Sequence, residues 1–181
     1  MSTPAVSLIT AMFAGEPAYV SHERSEQFSA CVTGLAGNEH LTQMLAETGA
    51  SADNFWPEPD SWKAAYRPYH VVSGVLHIPV KGVLLHNFPW ADGNWATGYD
   101  YILQAFARGC EDFTAGNIKA IAFIMHTPGG MVAGCGDAAD KMFDMKTESG
   151  VPVRAFAHES AYSAGYWIMI EDICAKKGDS A

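Results

Sequence analysis

Two apolar runs in the second half of the chain, each followed by a turn and a helical pattern, dominate its hydrophobic positions. The first run covers residues 118–125 and precedes a helical pattern over residues 131–148. The second covers residues 151–157 and leads through a polar segment into an apolar helical stretch that ends at Ile170. Short continuous apolar runs bounded by turn residues are typical of buried strands. Because strands and helices alternate, the pattern predicts an α/β fold with a mostly parallel sheet flanked by helices.

The first third of the chain has weaker patterns. Apolar positions spaced as on one face of a helix predict two short helices, over residues 25–33 and 39–48. Residues 51–67 are rich in Pro, Asp and Trp without a period, so they predict a linker or an arm. We therefore expect residues 1–68 to form an N-terminal extension, either a docking arm or a packed segment, and residues 69–181 to form the main domain.

Residues 69–85 have the composition of β-strands. Val, Leu and Ile predominate, and Gly74 and Gly82 mark breaks between successive strands. Pro79 has no N–H to donate to a strand ladder, so it predicts an edge strand or a bulge at its position.

Residues 86–97 predict a loop in front of a helix. Trp90 and Trp95 lie in this loop, and they either cover the core or flank a substrate groove. Thr97 is expected to cap the N-terminus of a helix over residues 98–107.

The turns after the two apolar runs contain the residues best suited to chemistry. Right-handed βαβ crossovers bring the carboxyl ends of parallel strands to one edge of a sheet, so the two turns are expected to meet. Gly129 and Gly130 lack Cβ, which permits a sharp turn and a close approach to a substrate. Ser163 is expected at the start of a helix, where free N–H groups favour negative charge. Together the turns predict an oxyanion hole and a serine nucleophile, which suit acyl transfer.

The charge of the chain argues against two classes of partner. The 181 residues have a formal net charge of -9 and a pI near 5.1. Nucleic acids and anionic membranes are bound by clustered Lys and Arg, and the sequence has no such cluster beyond the pair Lys176 and Lys177. No targeting segment or apolar run of membrane-spanning length is recognisable. We expect neither nucleic-acid nor membrane binding.

Cysteine and aspartate patterns favour structural roles. The chain has four cysteines, Cys31, Cys110, Cys135 and Cys174. Their spacing fits no zinc site, so we expect reduced, mostly buried thiols, of which Cys135 is the one to test for reactivity. Three aspartates share a face of the helix predicted after the glycine turn: Asp137, Asp140 and Asp144. We interpret this face as solvated, and we expect no metal and no cofactor.

Two motifs together resemble those of a known family. Residues 127–134 read Thr-Pro-Gly-Gly-Met-Val-Ala-Gly, and residues 161–166 read Ala-Tyr-Ser-Ala-Gly-Tyr. In this order they resemble the signal peptide peptidase A family of serine peptidases, and within it the head maturation (capsid assembly) proteases of lambda-like phages. The resemblance extends over about residues 69–175. It implies a Clp-crotonase-like core.

The resemblance also implies a site and an activity. It assigns Ser163 as nucleophile, the backbone N–H groups of Gly129, Gly130 and Ala164 as an oxyanion hole, and a lysine as general base. The implied activity is endopeptidase cleavage of scaffold, portal or capsid precursors by a homo-oligomer. The implied location is the host cell cytoplasm and the phage procapsid.

The general base is where the chain departs from the family. The family's lysine lies well beyond the serine, at a position past Ala181, whereas Lys176 and Lys177 are too close to Ser163 to match. We therefore expect the N-terminal part of such a protease, truncated at its C-terminus. The departure is equally compatible with a split gene whose partner chain brings the lysine, or with a remnant that no longer cleaves. The alternative function is a non-catalytic assembly or scaffold subunit that retains the peptidase core.

Two histidines complete the candidate site, and the serine has alternative roles. His126 ends the first predicted strand and is expected to be a hydrogen-bonded supporting residue. His158 lies on the strand before Ser163 and is a further candidate base. The nucleophile elbow of α/β-hydrolases requires a histidine after the serine, and none follows Ser163. A plain helix-capping serine and a crotonase-type thioester enzyme stay as alternatives.

Overall fold

Two β-sheets joined by short bends organise the chain, as seen in a computed structural model that describes residues 16–36, 38–46 and 55–168. These residues form nine strands: β1 Ala18–Val20, β2 His70–Val72, β3 Val75–Lys81, β4 Val83–Leu85, β5 Ala91–Asp92, β6 Ala96–Gly98, β7 Ala120–Thr127, β8 Gly129–Met131 and β9 Val153–Ala161. They also form five α-helices: α1 Ser25–Ala36, α2 Glu39–Ala46, α3 Tyr99–Thr114, α4 Cys135–Ser149 and α5 Ala164–Trp167. Two short 3-10 helices span His22–Arg24 and Trp62–Tyr66.

The first sheet, which we call the parallel sheet, has the strand order β2-β3-β7-β9. Strands β3, β7 and β9 run parallel, which confirms the predicted α/β class. β2 pairs antiparallel with β3 through a turn at Ser73 and Gly74, whose φ angles of 53° and 81° suit a tight hairpin. Leu76, Ile78 and Val80 of β3 are buried, alternating with half-buried residues as expected for a strand over a core.

The second sheet, which we call the mixed sheet, has the strand order β1-β8-β4-β6-β5 and is not among the elements that the sequence predicts. Two of its strands continue strands of the parallel sheet. β4 follows β3 after Gly82, and β8 follows β7 after Pro128. Gly82 has φ 68°, and a Cβ there would lie 2.1 Å from the carbonyl oxygen of Trp95. The bends at the carboxyl ends of β3 and β7 therefore deliver the chain from one sheet to the other.

Helices cover both sheets. α3 packs on β3 and β7 and against α4, and the rings of Phe106 and Phe123 lie 5.7 Å apart in this core. The predicted helices over residues 25–33 and 39–48 are confirmed as α1 and α2, although residues 47 and 48 lie outside the described chain. Their buried residues share a second apolar cluster with the mixed sheet: Cys31, Leu35, Leu41, Met44, Val83 and Leu85. The described part of the N-terminal extension is thus packed on the core.

The helix predicted from residue 131 begins later than expected. Met131 belongs to β8, and α4 starts at Cys135 after Gly134, whose φ is 78°. β8 pairs with β1 on one side and with β4 on the other. Its backbone groups are therefore committed to strand neighbours rather than to a helix. The predictions of a turn at Gly129 and Gly130 and of a helix start at Met131 are wrong.

Thr97 does not cap the following helix. It lies in β6, Gly98 occupies the cap position, and the helix runs from Tyr99 to Thr114 rather than over residues 98–107. The Thr97 hydroxyl accepts a hydrogen bond from Lys81 N–H (2.9 Å) and donates one to Lys81 C=O (2.7 Å). The side chain is buried and joins β6 to the end of β3. The hydroxyl is thus used between strands, which a local cap rule does not foresee.

Pro79 lies in β3, which β7 flanks along its whole length and β2 flanks only from Val75 to His77. Beyond His77, β3 has no strand on its outer side among the described residues. The predicted edge position is confirmed for the part of β3 that contains Pro79, where a missing N–H costs no ladder bond.

The two loop tryptophans have different environments. Trp90 is 6% exposed, and the Arg67 guanidinium carbon lies 3.6 Å from the centre of its ring. Trp95 is 43% exposed and lies against Gly34 of α1, where a Cβ would approach the indole to 2.5 Å. Burial confirms the covering role for Trp90.

Replacing Thr97 with Val tests its role between the strands. The variant keeps the side-chain shape but leaves the N–H and C=O of Lys81 without their partner. We expect the free energy of unfolding to fall by about 1 to 3 kcal/mol, measured by urea denaturation. The control is Thr147→Val, because the Thr147 hydroxyl bonds only within an exposed turn of α4, and its change should stay within about 0.5 kcal/mol. Equal effects of the two substitutions would contradict this role.

Candidate active site

Ser163 sits at the junction of β9 and α5 in a strained backbone conformation. Its φ is 53° and its ψ is -113°, a region that residues with a Cβ rarely adopt. Two other described residues that are not glycine have positive φ, Ser73 and Asn87. The Ser163 side chain is exposed, and its hydroxyl makes no capping hydrogen bond to α5. The serine therefore does not act as a helix cap, and its strain resembles that of a nucleophile placed on a sharp strand-to-helix turn.

Backbone hydrogen bonds and close packing hold this turn in place. Tyr162 N–H donates to Thr127 C=O at 3.2 Å, and Gly165 N–H donates to Tyr162 C=O at 2.9 Å. A Cβ on Gly165 would lie 2.4 Å from Cγ2 of Thr127, so only glycine lets α5 approach the end of β7 this closely. The end of β7 thereby fixes the position of Ser163.

Gly129 of β8 lies directly against the serine. Its φ is 109°, and a Cβ built on it would lie 3.2 Å from Ser163 Cβ and 2.2 Å from the Tyr19 carbonyl oxygen. The glycine strand and the serine turn therefore meet at one edge, as their order along parallel strands predicts. Gly129 is needed both for its conformation and for the space that its missing side chain leaves.

The three predicted oxyanion donors differ in their surroundings. Gly129 N–H already donates to Thr127 Oγ1 at 3.1 Å. Gly130 pairs with Tyr19 of β1 and with Leu84 of β4. Ala164 is buried and is the first residue of α5, where backbone N–H groups have no partner within the helix. Gly130 and Ala164 are therefore the donors better suited to an oxyanion.

Buried groups beneath β8 support the site, and sequence reasoning missed them. Tyr99, at the start of α3, donates its hydroxyl hydrogen bond to Met131 C=O at 2.7 Å. Cys135, at the start of α4, lies with Sγ 3.8 Å from Ala164 C=O. The one available signal is general: a buried tyrosine needs a partner for its hydroxyl. β8 and α5 are thus both anchored from below.

The two predicted supporting histidines lie together at the carboxyl edge of the parallel sheet. Their rings, of His126 on β7 and His158 on β9, have centres 6.5 Å apart. β9 bulges here, because Ala157 pairs with Met125 while Ser160 pairs with His126. Bulges often redirect side chains beside active sites. The roles of both histidines remain predictions.

The remaining predicted residues are either exposed or outside the described chain. Lys176, Lys177 and Cys174 lie outside the described residues. Asp137, Asp140 and Asp144 are all exposed, as interpreted. In the described ranges, no group of three or more His, Cys, Asp or Glu side chains is arranged to hold a metal ion. None of the helices in the same ranges has the length and apolarity to cross a membrane.

Cys135 should be unreactive despite its position near the serine. Burial raises the pKa of its thiol, and a hydrogen bond from Tyr99 lowers it only in part. Because the thiolate is the reactive form, we expect iodoacetamide at pH 8 to leave Cys135 unmodified in the folded protein, as read by peptide mass mapping. The control is the same reaction in denaturant, where Cys135 should be alkylated. Equal labelling rates in both states would contradict the prediction.

Replacing Gly129 with Ala tests the contact with β1 and Ser163. The new Cβ collides with the Tyr19 carbonyl in addition to straining the backbone. Gly150→Ala is the control, since Gly150 also has positive φ, 68°, but has open space at its Cβ position. We expect Gly150→Ala to cost about 1 to 2 kcal/mol of unfolding free energy, and Gly129→Ala to cost more, measured by urea denaturation. A smaller loss for Gly129→Ala would argue against this geometry.

Comparison with known proteins adds a relationship to phage assembly. No family model matches the chain. It is 28% identical over 169 residues to Capsid assembly protease C of Escherichia phage lambda, covering 87% of this chain and 36% of that protein. It is 28% identical over 119 residues to Head-tail preconnector protein GP5 of Enterobacteria phage P21, covering 64% of this chain and 22% of that protein. The chain thus spans little more than a third of one relative and less of the other. These matches support a relationship to phage capsid maturation proteins, one of which is named as a protease.

Proposed function

We propose that this chain is the nucleophile-bearing part of a serine endopeptidase that processes precursor proteins of a phage head. The observation that carries the proposal is Ser163, exposed, strained and without a capping bond, held against Gly129 of β8. The similarity to a phage protein named as a capsid assembly protease supports the biological setting.

The chemistry follows from the arrangement of the edge. Ser163 Oγ attacks a substrate peptide carbonyl and forms an acyl-enzyme when the C–N bond breaks and the amine leaves with a proton. Water then hydrolyses the ester and restores the serine. The N–H groups of Gly130 and Ala164 donate to the oxyanion, and one such donor is worth about 3 to 4 kcal/mol in measured cases.

A base must remove the proton from the Ser163 hydroxyl. We assign this role to a lysine amine that reaches Ser163 from outside the described residues, as the family resemblance implies. A lysine serves as a base when an apolar environment lowers its pKa. The lysine comes either from another segment of the polypeptide or from a partner chain in a homo-oligomer.

A Clp-crotonase-like core accounts for the architecture. Two units each place one strand in the parallel sheet and the next in the mixed sheet, β3 with β4 and β7 with β8. Each unit is followed by a helix that packs on the core, α3 and α4 respectively. The repetition of this unit supports the proposal of a shared fold with that class of enzymes.

The substrate class follows from the same edge. A strand such as β8 binds an extended polypeptide through its backbone, with side-chain contacts adding selectivity. We assign the substrate as a scaffold, portal or capsid precursor, and the place of action as the procapsid in the host cytoplasm.

A non-catalytic assembly subunit is the second candidate function. The observation that favours it is β1, which already occupies the edge of β8 beside Ser163. A permanently occupied edge would leave the core as a binding platform for head proteins. The two candidates differ in whether Ser163 is needed for any peptide-bond cleavage.

Replacing Ser163 with Ala tests the proposal. We expect the purified chain to cleave a denatured protein substrate in a Ser163-dependent way once the base is present, and the variant to lose at least about a hundredfold in rate, as removal of a nucleophile does. Intact-mass spectrometry of chain and substrate measures both. The control is Ser73→Ala, since Ser73 also has φ 53° but lies in the turn between β2 and β3.

The base is supplied in this assay by testing the chain alone and with a longer form of the protein. Cleavage by the chain alone would place the base within these residues or across an oligomer interface. Failure of both forms to cleave, with unchanged particle assembly by the Ser163 variant, would favour the assembly subunit.

A further inference from the structure

The strand β1 occupies the edge of the mixed sheet beside the candidate active site. It runs antiparallel to β8, with Ala18 opposite Met131, Tyr19 opposite Gly130 and Val20 opposite Gly129. This is the edge to which a polypeptide substrate would add as a strand. The chain's own segment therefore lies where the proposed substrate would lie.

The Tyr19 carbonyl faces the proposed oxyanion donor. Val132 N–H donates to Pro17 C=O at 3.0 Å. Hydrogen-bonded pairs alternate along an antiparallel ladder, so the next bonded pair is Tyr19 with Gly130. The Tyr19 oxygen and Ser163 Cβ both lie within 3.2 Å of the point where a Gly129 Cβ would be. A backbone carbonyl of β1 thus sits where the carbonyl of a bound substrate is needed.

A second contact ties the same segment to the serine turn. Arg24, in the 3-10 helix after β1, donates from Nη2 to the Tyr162 hydroxyl at 3.2 Å. The Arg24 guanidinium carbon also lies 4.8 Å from the centre of the Tyr162 ring. Tyr162 directly precedes Ser163, so residues 17–24 span the site from the glycine strand to the nucleophile.

The attachment of β1 depends mainly on its backbone. Ala18 and Tyr19 are exposed and Val20 is only half-buried. The strand contributes no side chain to either apolar cluster. Segments with few buried apolar contacts open at low free-energy cost. β1 is therefore suited to leave the edge without unfolding of the core.

We propose that residues 17–24 are an intramolecular competitor, which holds the substrate strand position on β8 and must be displaced by an extended polypeptide before cleavage. This inference rests on the proposed peptidase function of the same site. The incoming polypeptide binds antiparallel to β8 and places a carbonyl at the position of the Tyr19 carbonyl. A tethered segment has an effective concentration in the millimolar range, so it lowers the apparent affinity of any substrate strand in proportion to its occupancy.

Peptide binding tests the competition directly. The probe is a fluorescein-labelled peptide with the sequence of residues 16–25, and binding is followed by fluorescence anisotropy. All proteins carry Ser163→Ala, so binding is measured without chemistry. In this background Tyr19→Pro removes the Tyr19 N–H and disrupts β1, and we expect the peptide to bind at least about tenfold more tightly than to the parent.

Two further variants make the test specific. Val71→Pro places proline in β2, an edge strand of the other sheet whose side chain is exposed to a similar extent, 44% against 46% for Tyr19. It should bind the peptide as the parent does. Arg24→Ala removes the second contact without altering the β1 backbone, and it should strengthen binding by a smaller factor. Circular dichroism during heating verifies that each variant is folded.

The outcomes separate this inference from the proposed function. Equal affinity in the parent, Tyr19→Pro and Arg24→Ala would overturn the competition, and so would an absence of binding to all three. Stronger binding in the β1 variants, without Ser163-dependent cleavage in the separate assay, would keep the competitor and reject the peptidase. Cleavage with unchanged peptide affinity would do the reverse.

Discussion

The bend at Pro128 is the constraint on which the site depends. Proline has no N–H, so the β7 ladder ends there and the next residues pair in the mixed sheet as β8. Gly129, immediately after the bend, has a conformation and a crowded environment that exclude a side chain. Thr127, immediately before it, is bonded to Gly129 through its hydroxyl and to Tyr162 through its carbonyl. One short corner thus positions the glycine strand, the serine turn and the join between two sheets.

The parts of this arrangement that could be predicted are those with a local or topological signal. The apolar runs predicted β7 and β9, and the rule that parallel strands share an edge brought Gly129 and Ser163 together. The mixed sheet left no such signal, because its strands are mostly two or three residues long and β1 pairs with a strand far along the chain. Thr97 was mistaken for a cap because its real partner, Lys81, is distant in sequence. The Gly129 N–H was expected to be available, but the neighbouring Thr127 hydroxyl accepts its hydrogen bond, which depends on a rotamer rather than on spacing.

Strain at Ser163 is balanced by rigid surroundings. A residue in a rarely populated backbone region costs about 1 to 3 kcal/mol, and it persists only where neighbours fix it. Here Gly165 packs on Thr127, while Tyr99 and Cys135 fill the space beneath β8 and α5. Burial raises the pKa values of the Tyr99 hydroxyl and the Cys135 thiol, so both stay neutral hydrogen-bonding groups. The neutral, close-packed layer below the serine lets its exposed hydroxyl remain available.

The order of β1 and β8 along the polypeptide has a consequence for synthesis on the ribosome. β1 emerges long before β8, so it has no strand partner while the intervening residues are made. Once β8 forms, the waiting segment is already tethered nearby and can pair with it at once. An unpaired strand edge is a template for aggregation, and large folding intermediates expose such edges. The early segment therefore protects the nascent chain by shielding the most adhesive edge of the mixed sheet until folding is complete.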